Sequence, residues 1–227
     1  MVNIEKLKAK KDIKTLIELL THRKEKVREA ACDALIALGP ESFSELVMTL
    51  ADRFNKKTAR CLAAKALGRI RNPQTIRPLI QGLLEEEEVS RSCIKALIEF
   101  GNMSVPYLID VIRQGGKHTL PAIYILGEIG DPNAVESLID FIQHPDPAIR
   151  RETVVALEKI GDPAAARWLV PLLQDPYPEI RGMVAAALGK MRYIDAIPHL
   201  EQLLFDQEVT VREMAKKAIE NITNNIS

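Results

Sequence analysis

One segment of about 31 residues is written seven times over in this chain. The echo is plainest when VESLIDFIQHPDPAIRRETVVALEKIGDPAA, residues 135–165, is set above ARWLVPLLQDPYPEIRGMVAAALGKMRYIDA, residues 166–196. An apolar stretch, a DP turn, an Ile-Arg pair and a second apolar stretch then fall in register. A period this long marks a solenoid, in which each unit buries its apolar side only by stacking on its neighbours. The estimate of domain number from a length of 227 residues therefore gives way to a single quasi-linear array.

Aligned on the arginine, the repeats run over 12–42, 43–75, 76–104, 105–134, 135–165, 166–196 and 197–227. Segment 1–11 reads as a partial helix capping the apolar edge of repeat one, and polar NITNNIS finishes the other edge. Each repeat is predicted to hold two helices. Apolar residues at helical spacing mark the first, as in Leu138, Ile139 and Ile142 or Leu169, Val170 and Leu173. It stops at a turn such as His144-Pro145-Asp146-Pro147, because proline disfavours helical backbone in the residue before it. In the second helix the residue seven after the arginine is Leu35, Leu67, Leu97, Leu126, Leu157, Leu188 or Ile219, on one face with the residues one before and ten after the arginine. Six after it comes Ala34, Ala66, Ala96, Ile125, Ala156, Ala187 or Ala218, mostly small enough for neighbouring helices to approach closely. Gly39, Gly101, Gly130 and Gly161 then end the helix in a left-handed residue. Repeats three and four depart from the pattern: Ser90 and Thr119 replace the arginine, and Gly115, Gly116 and Pro121 shorten the second helix of repeat four to an onset near Thr119.

These residues resemble the HEAT repeats of the phycobilisome-lyase type, whose pattern is close to VRxxAAxALGxIGDPxA. The likeness covers nearly the whole chain after residue 12 and is strongest in repeats one, two, five and six. It implies an all-α fold, a right-handed α-α superhelical solenoid of about seven HEAT-like repeats whose second helices line the concave side. It implies no single function, because such repeats serve bilin lyases, iron-handling proteins, scaffolds and artificial binders alike.

Lys and Arg number 31, and so do Asp and Glu. The chain as a whole therefore exerts no long-range pull on phosphate backbones or anionic lipid, and nucleic acid is disfavoured as a partner. Apolar runs of roughly four to six residues are too short for a bilayer and the N-terminal MVNIEKLKAKKD is charged. Neither a membrane span nor a signal peptide is expected, and the predicted location is cytoplasmic. Three cysteines without metal-ligand spacing fit a reducing compartment.

Arg28, Arg60, Arg150, Arg181 and Arg212 recur at one place in the repeat, where they either grip an anion or bridge a turn carboxylate, such as Asp131 or Asp162, or the helix-terminal carbonyls of an adjoining repeat. Recurrence with the fold favours the bridge. His22, His118, His144 and His199 are read as falling at different repeat positions, and the His-Glu dipeptides that a related di-iron hydroxylase uses as ligands are absent, so no metal is assigned. Cys32 and Cys93 are read as core, and Cys61 as facing the groove. The run Glu85 to Glu88 is read as a solvated turn. With no Gly-rich phosphate loop, no CxxC pair and no supported Ser-His-Asp order, no catalytic residue and no cofactor is assigned.

The concave groove is the candidate site. Positions one, two, five and nine after the arginine are predicted to point into it. In repeats four to six they bring together Leu120, Tyr124, Val155, Met183 and Ala186 inside a rim of Glu128, Arg151, Lys159 and Lys190. An apolar centre with an aromatic, a methionine and a charged rim is the make-up of a protein interface; the alternative is lateral packing of the second helices with only their tips exposed. The chain is read as a non-catalytic scaffold that binds a protein or peptide in this groove. By the resemblance alone, an alternative is a bilin lyase or chromophore-handling subunit in which Tyr124 and carboxylates handle a tetrapyrrole. A nucleic-acid-binding HEAT protein is a third reading, weakened by the mixed charge and single aromatic of the groove.

Overall fold

The structure, a computed structural model, describes residues 3–224 and shows no strand among them. Met1–Tyr107 and Leu108–Ser227 form two compact units. In the first, α1 (Ile4–Ala9) precedes α2 (Ile13–Leu19) and α3 (Glu25–Leu38), then α4 (Phe43–Ala51) and α5 (Lys57–Ile70), then α6 (Ile76–Gln81) and α7 (Glu87–Phe100). Helix α8 (Val105–Gln114) runs across the division, and α9 (Thr119–Ile129) follows it. The second unit continues with α10 (Val135–Ile139) and α11 (Pro147–Ile160), α12 (Pro163–Leu169) and α13 (Pro178–Lys190), and α14 (Ile197–Leu203) and α15 (Val209–Thr223). Each predicted repeat thus supplies a shorter first and a longer second helix, the two nearly equal in repeat four, and the chain is an all-α solenoid. Helix α1 packs against α2 and α3. Of the terminal NITNNIS, residues 225–227 lie outside the described residues.

The register read from the apolar rows places the core. Leu35, Leu67 and Leu97 in the first unit and Leu126, Leu157 and Leu188 in the second have no exposed surface. The alanines six after the arginine are all buried. What they meet is a contact that the pattern within one repeat does not show: glycines eight after the arginine on the preceding second helix. A Cβ placed on Gly68 would stand 2.8 Å from the Ala96 Cβ, one on Gly127 would stand 2.7 Å from the Ala156 Cα, and one on Gly189 would stand 2.7 Å from the Ala218 Cα. Helices α5 with α7, α9 with α11 and α13 with α15 therefore touch backbone to backbone.

Turn chemistry sets the helix ends. Asp131, Asp146 and Asp162 each accept a hydrogen bond from the backbone N–H two residues on, with proline in the first turn, where its missing N–H goes unneeded. Eleven residues after the arginine position the backbone turns left-handed, at φ of 59°, 57°, 71° and 69° for Gly39, Gly101, Gly130 and Gly161. Arg71 and Arg192 hold the same place at 55° and 54°, where a side chain is strained.

The first helices are shorter than their apolar spacing predicts. Ile142 lies beyond the end of α10, in turns closed by hydrogen bonds from Phe141 N–H to Leu138 O and from Ile142 N–H to Ile139 O. Val170–Gln174, including Leu173, form a 3₁₀ turn, because Pro171 cannot donate the next α-helical bond. The apolar residues are buried there all the same. One stretch, Glu25–Ala51, has the length and mean hydropathy of 1.3 to cross a membrane. It is broken at Gly39-Pro40 into α3 and α4, and Ala31, Cys32, Leu35, Leu46 and Leu50 within it are buried inside the protein.

Candidate functional site

The recurrent arginines are consumed by the fold. Arg150 donates from Nε and Nη2 to Asp175, at 2.7 and 3.0 Å, and from Nη1 to the carbonyls of His144 and Pro145. One repeat on, Arg181 makes the same set with Asp206 and the carbonyls of Asp175 and Pro176. Arg60 reaches Glu85 at 3.1 Å and donates to the Leu50 carbonyl. Each carboxylate stands 25 residues after its arginine, in the turn of the following repeat. At that spacing from Arg28 stands Arg53, and among the described residues Arg28 donates only to the carbonyls of His22 and Arg23. Arg212 likewise takes the carbonyls of Asp206 and Gln207. The bridge is as expected, but Asp131 and Asp162 are not its acceptors: they cap the helical turns that begin at the next residue. Hydrogen bonding from Arg181 holds the Asp206 carboxyl below its ordinary range.

Most of the acidic run is solvated at the N-terminal end of α7, as its sequence suggests: Glu86, Glu87 and Glu88 are exposed, and only Glu85 is half-buried. Glu85 bridges Arg53 and Arg60, Glu86 and Glu88 pair with Lys57, and Glu87 pairs with Arg91. Burial pushes the Glu85 carboxyl up, but hydrogen bonds and charge from Arg60 and Arg53 together outweigh it and hold the group below its usual value. The turn of repeat three is the acceptor for the arginine of repeat two.

Nor do the histidines all fall at different repeat positions. His22 and His144 both stand six before the arginine, and each accepts a backbone N–H two residues on at Nδ1 while its carbonyl receives the arginine. These two are turn-formers. Cys32 and Cys93 are buried, and burial pushes their thiols up to about 11 and about 12. The Cys93 sulfur fills the space that a side chain at Gly82 would need. Among the described residues no three His, Cys, Asp or Glu side chains gather in a metal-holding group.

The exposed face of the second helices is what remains for a ligand. In the Leu108–Ser227 unit, Leu120 and Tyr124 on α9 are 39% and 38% exposed. Val155 on α11 and Met183 and Ala186 on α13 are half-buried, and Glu128, Arg151, Lys159 and Lys190 are exposed. Lys159 pairs with Glu128 and lies 5.5 Å over the Tyr124 ring. Lys190 pairs with Glu158, and Arg151 with Glu179 at 3.6 Å. The cations of the rim thus have partners of their own on neighbouring helices. Glu152, half-buried on α11, has a carboxyl pushed up by burial despite Arg151 and Lys159. Two positions predicted to face outward do not: Leu62 is buried, and Gly182 is covered by Met214, whose Sδ would stand 2.8 Å from a Cβ there.

Sequence reasoning missed the most exposed aromatics. Phe54 is 100% and Phe205 88% exposed, and Tyr177 is half-exposed with Arg150 over its ring. All three stand in the turns within helix pairs, four to seven residues before the arginine position, where an aromatic breaks the run of Asp, Pro and His.

Helix pairs stacked at a fixed repeat, with an arginine tying one turn to the next, define an α-solenoid repeat protein. Residues 116–177 and 161–220 match the family of HEAT repeats, and residues 59–85 match the PBS lyase HEAT-like repeat. The chain is a HEAT-repeat protein. No curated protein matches it significantly in sequence. Among solved structures, Kap121p superposes with a TM-score of 0.67 at 16% identity, over 96% of this chain and 30% of that one. The karyopherin Kap121p bound to the extreme C-terminus of the protein phosphatase Cdc14p gives 0.65 at 17%, over 92% and 29%. An engineered protein gives 0.53 at 21%, over 96% and 71%. The chain spans under a third of the karyopherin's length, and the likeness is one of fold.

Proposed function

We propose that this chain is a non-catalytic binding module that takes a protein or peptide on the second-helix face of its Leu108–Ser227 unit. The observation that carries this reading is the surface of Leu120 and Tyr124 beside half-buried Val155 and Met183, bordered by cations already paired with carboxylates. Such a surface is covered by an apolar partner with little stripping of water from free charge, and an aromatic at its centre is the typical anchor. Kap121p, of the same fold, holds a protein C-terminus. The paired charges leave no basic stripe for a nucleic acid backbone to follow.

The test is calorimetric titration of a partner isolated on the wild-type chain. Tyr124→Ala is expected to weaken binding by about 2 kcal/mol or more, and Glu136→Ala, exposed on α10, to leave it unchanged. If Glu136→Ala weakens binding and Tyr124→Ala does not, the partner uses the first helices and the proposal fails. A visible-band shift on adding phycocyanobilin that disappears in Tyr124→Ala replaces the protein partner with a chromophore.

A further inference from the structure

The Met1–Tyr107 unit carries a cavity of its own on the second-helix face, independent of the surface just proposed. It has a volume of about 320 Å³ and lies between α5 and α7, lined by Cys61, Leu62, Lys65, Arg69, Ser92, Lys95, Ala96 and Glu99. Three of those side chains are cations and one is an anion. Lys65 is tied to Glu29 on α3. Arg69 hydrogen-bonds Glu99 through Nε at 3.1 Å, and among the described residues its two Nη groups have no hydrogen bond. Lys95 is exposed and has no ion-pair partner among the described residues. Leu62 and Ala96 make an apolar floor, and the Ser92 hydroxyl donates to the Glu88 carbonyl rather than into the cavity.

We propose that this cavity binds a carboxylate joined to a short apolar stem, such as a glutamate side chain of an acidic peptide. The Nη fork of Arg69 matches the two oxygens of a carboxylate, Lys95 supplies a second positive charge, and the stem covers Leu62 and Ala96. The site differs from the apolar patch of the other unit in charge, and either can fail without the other.

Cys61 supplies the reporter, since it lines the cavity while Cys32 and Cys93 are buried. In alkylation its sulfur displaces iodide from iodoacetate or from neutral iodoacetamide. The ratio of the two rates at one pH cancels the thiolate fraction. Relative to N-acetylcysteine amide, the ratio at Cys61 is expected to favour iodoacetate several-fold, and Lys95→Glu and Arg69→Gln to abolish the preference. Acetyl-Leu-Glu-Leu-amide is expected to protect Cys61 from iodoacetamide where acetyl-Leu-Gln-Leu-amide does not. Equal protection by glutarate supports the carboxylate site and assigns it to free organic acids. A wild-type ratio equal to that of the small thiol, a preference that survives Lys95→Glu, or equal protection by inorganic phosphate overturns the proposal. Alkylation of Cys32 or Cys93 under the same conditions reports unfolding of a variant, and Lys95→Arg, which keeps the cation, is expected to retain the preference.

Discussion

Replacing Gly127 with alanine separates two opposed effects. In an exposed helix the change favours folding by about 1 kcal/mol, because alanine loses less backbone freedom than glycine. Here the new methyl would stand 2.7 Å from the Ala156 Cα and 2.9 Å from its Cβ. Ordinary carbon contacts lie at roughly 3.5–4.0 Å, so α11 must retreat by about 1 Å. The nearest obstacle is backbone and cannot rotate aside. Overpacking of this kind costs about 1–3 kcal/mol. A main-chain obstacle places Gly127→Ala in the upper part of that range, and subtracting the propensity gain leaves a net loss of about 1–2 kcal/mol. At about 2–4 °C per kcal/mol for a chain of this size, the melting temperature falls by roughly 2–8 °C. Urea titration followed by circular dichroism checks it, read as a midpoint shift because repeat arrays can unfold in parts. Adding Ala156→Gly removes the contact with Cβ but leaves the one with Cα, so the double variant is expected to recover only part of the loss. A Gly127→Ala chain more stable than wild type, as in an isolated helix, would refute the close approach of α9 and α11.

Three further outcomes follow from individual side chains. The Asp206 carboxyl is depressed in the folded protein, so its contribution to stability is complete above the unfolded value near about 3.9 and is lost as pH falls through the folded value. Acid titration is therefore expected to cost wild type more than Asp206→Asn over that window, and parallel curves would show that the pair with Arg181 contributes nothing. Arg192 is left-handed where other repeats use glycine; Arg192→Gly is expected to raise stability by about 0.5–1 kcal/mol in thermal melts, whereas Arg71→Gly also forfeits a hydrogen bond to the Glu99 carbonyl and should gain less. Leu157→Ala is expected to cost about 2–5 kcal/mol in urea, against less than about 1 kcal/mol for exposed Lys159→Ala, and equal losses would mean that α11 presents a different face to the core.

What the sequence disclosed was whatever recurs within one repeat. The leucine seven after the arginine, the alanine six after and the glycine eleven after each report a local requirement of a helix or its end, and their periodicity makes them visible. Contacts between repeats were harder to read, because they depend on which turn faces which. Arg150 to Asp175 and Gly127 to Ala156 are separated by nearly a full repeat, and no helical or strand period links them. Asp131 and Asp162, the turn carboxylates the sequence suggests as acceptors, are occupied by the N–H groups of their own turns. The 25-residue spacing was present all along in Arg60 to Glu85, Arg150 to Asp175 and Arg181 to Asp206, and it explains the first glutamate of the acidic run in repeat three.

The same logic locates function. Residues that recur from repeat to repeat answer to the stack, so their side chains are already engaged, as the arginine row shows. Residues on the exposed face at positions that vary from repeat to repeat are not required by the stack: Leu120 and Tyr124 where repeat four has lost its arginine, Cys61 beside the cavity of the first unit. A solenoid acquires specificity by such exceptions, since its regular positions look alike in every copy. A substitution at such a variable exposed position, such as Tyr124→Ala, should therefore cost binding and leave the fold intact, while one that breaks a regular row, such as Leu157→Ala, should do the reverse.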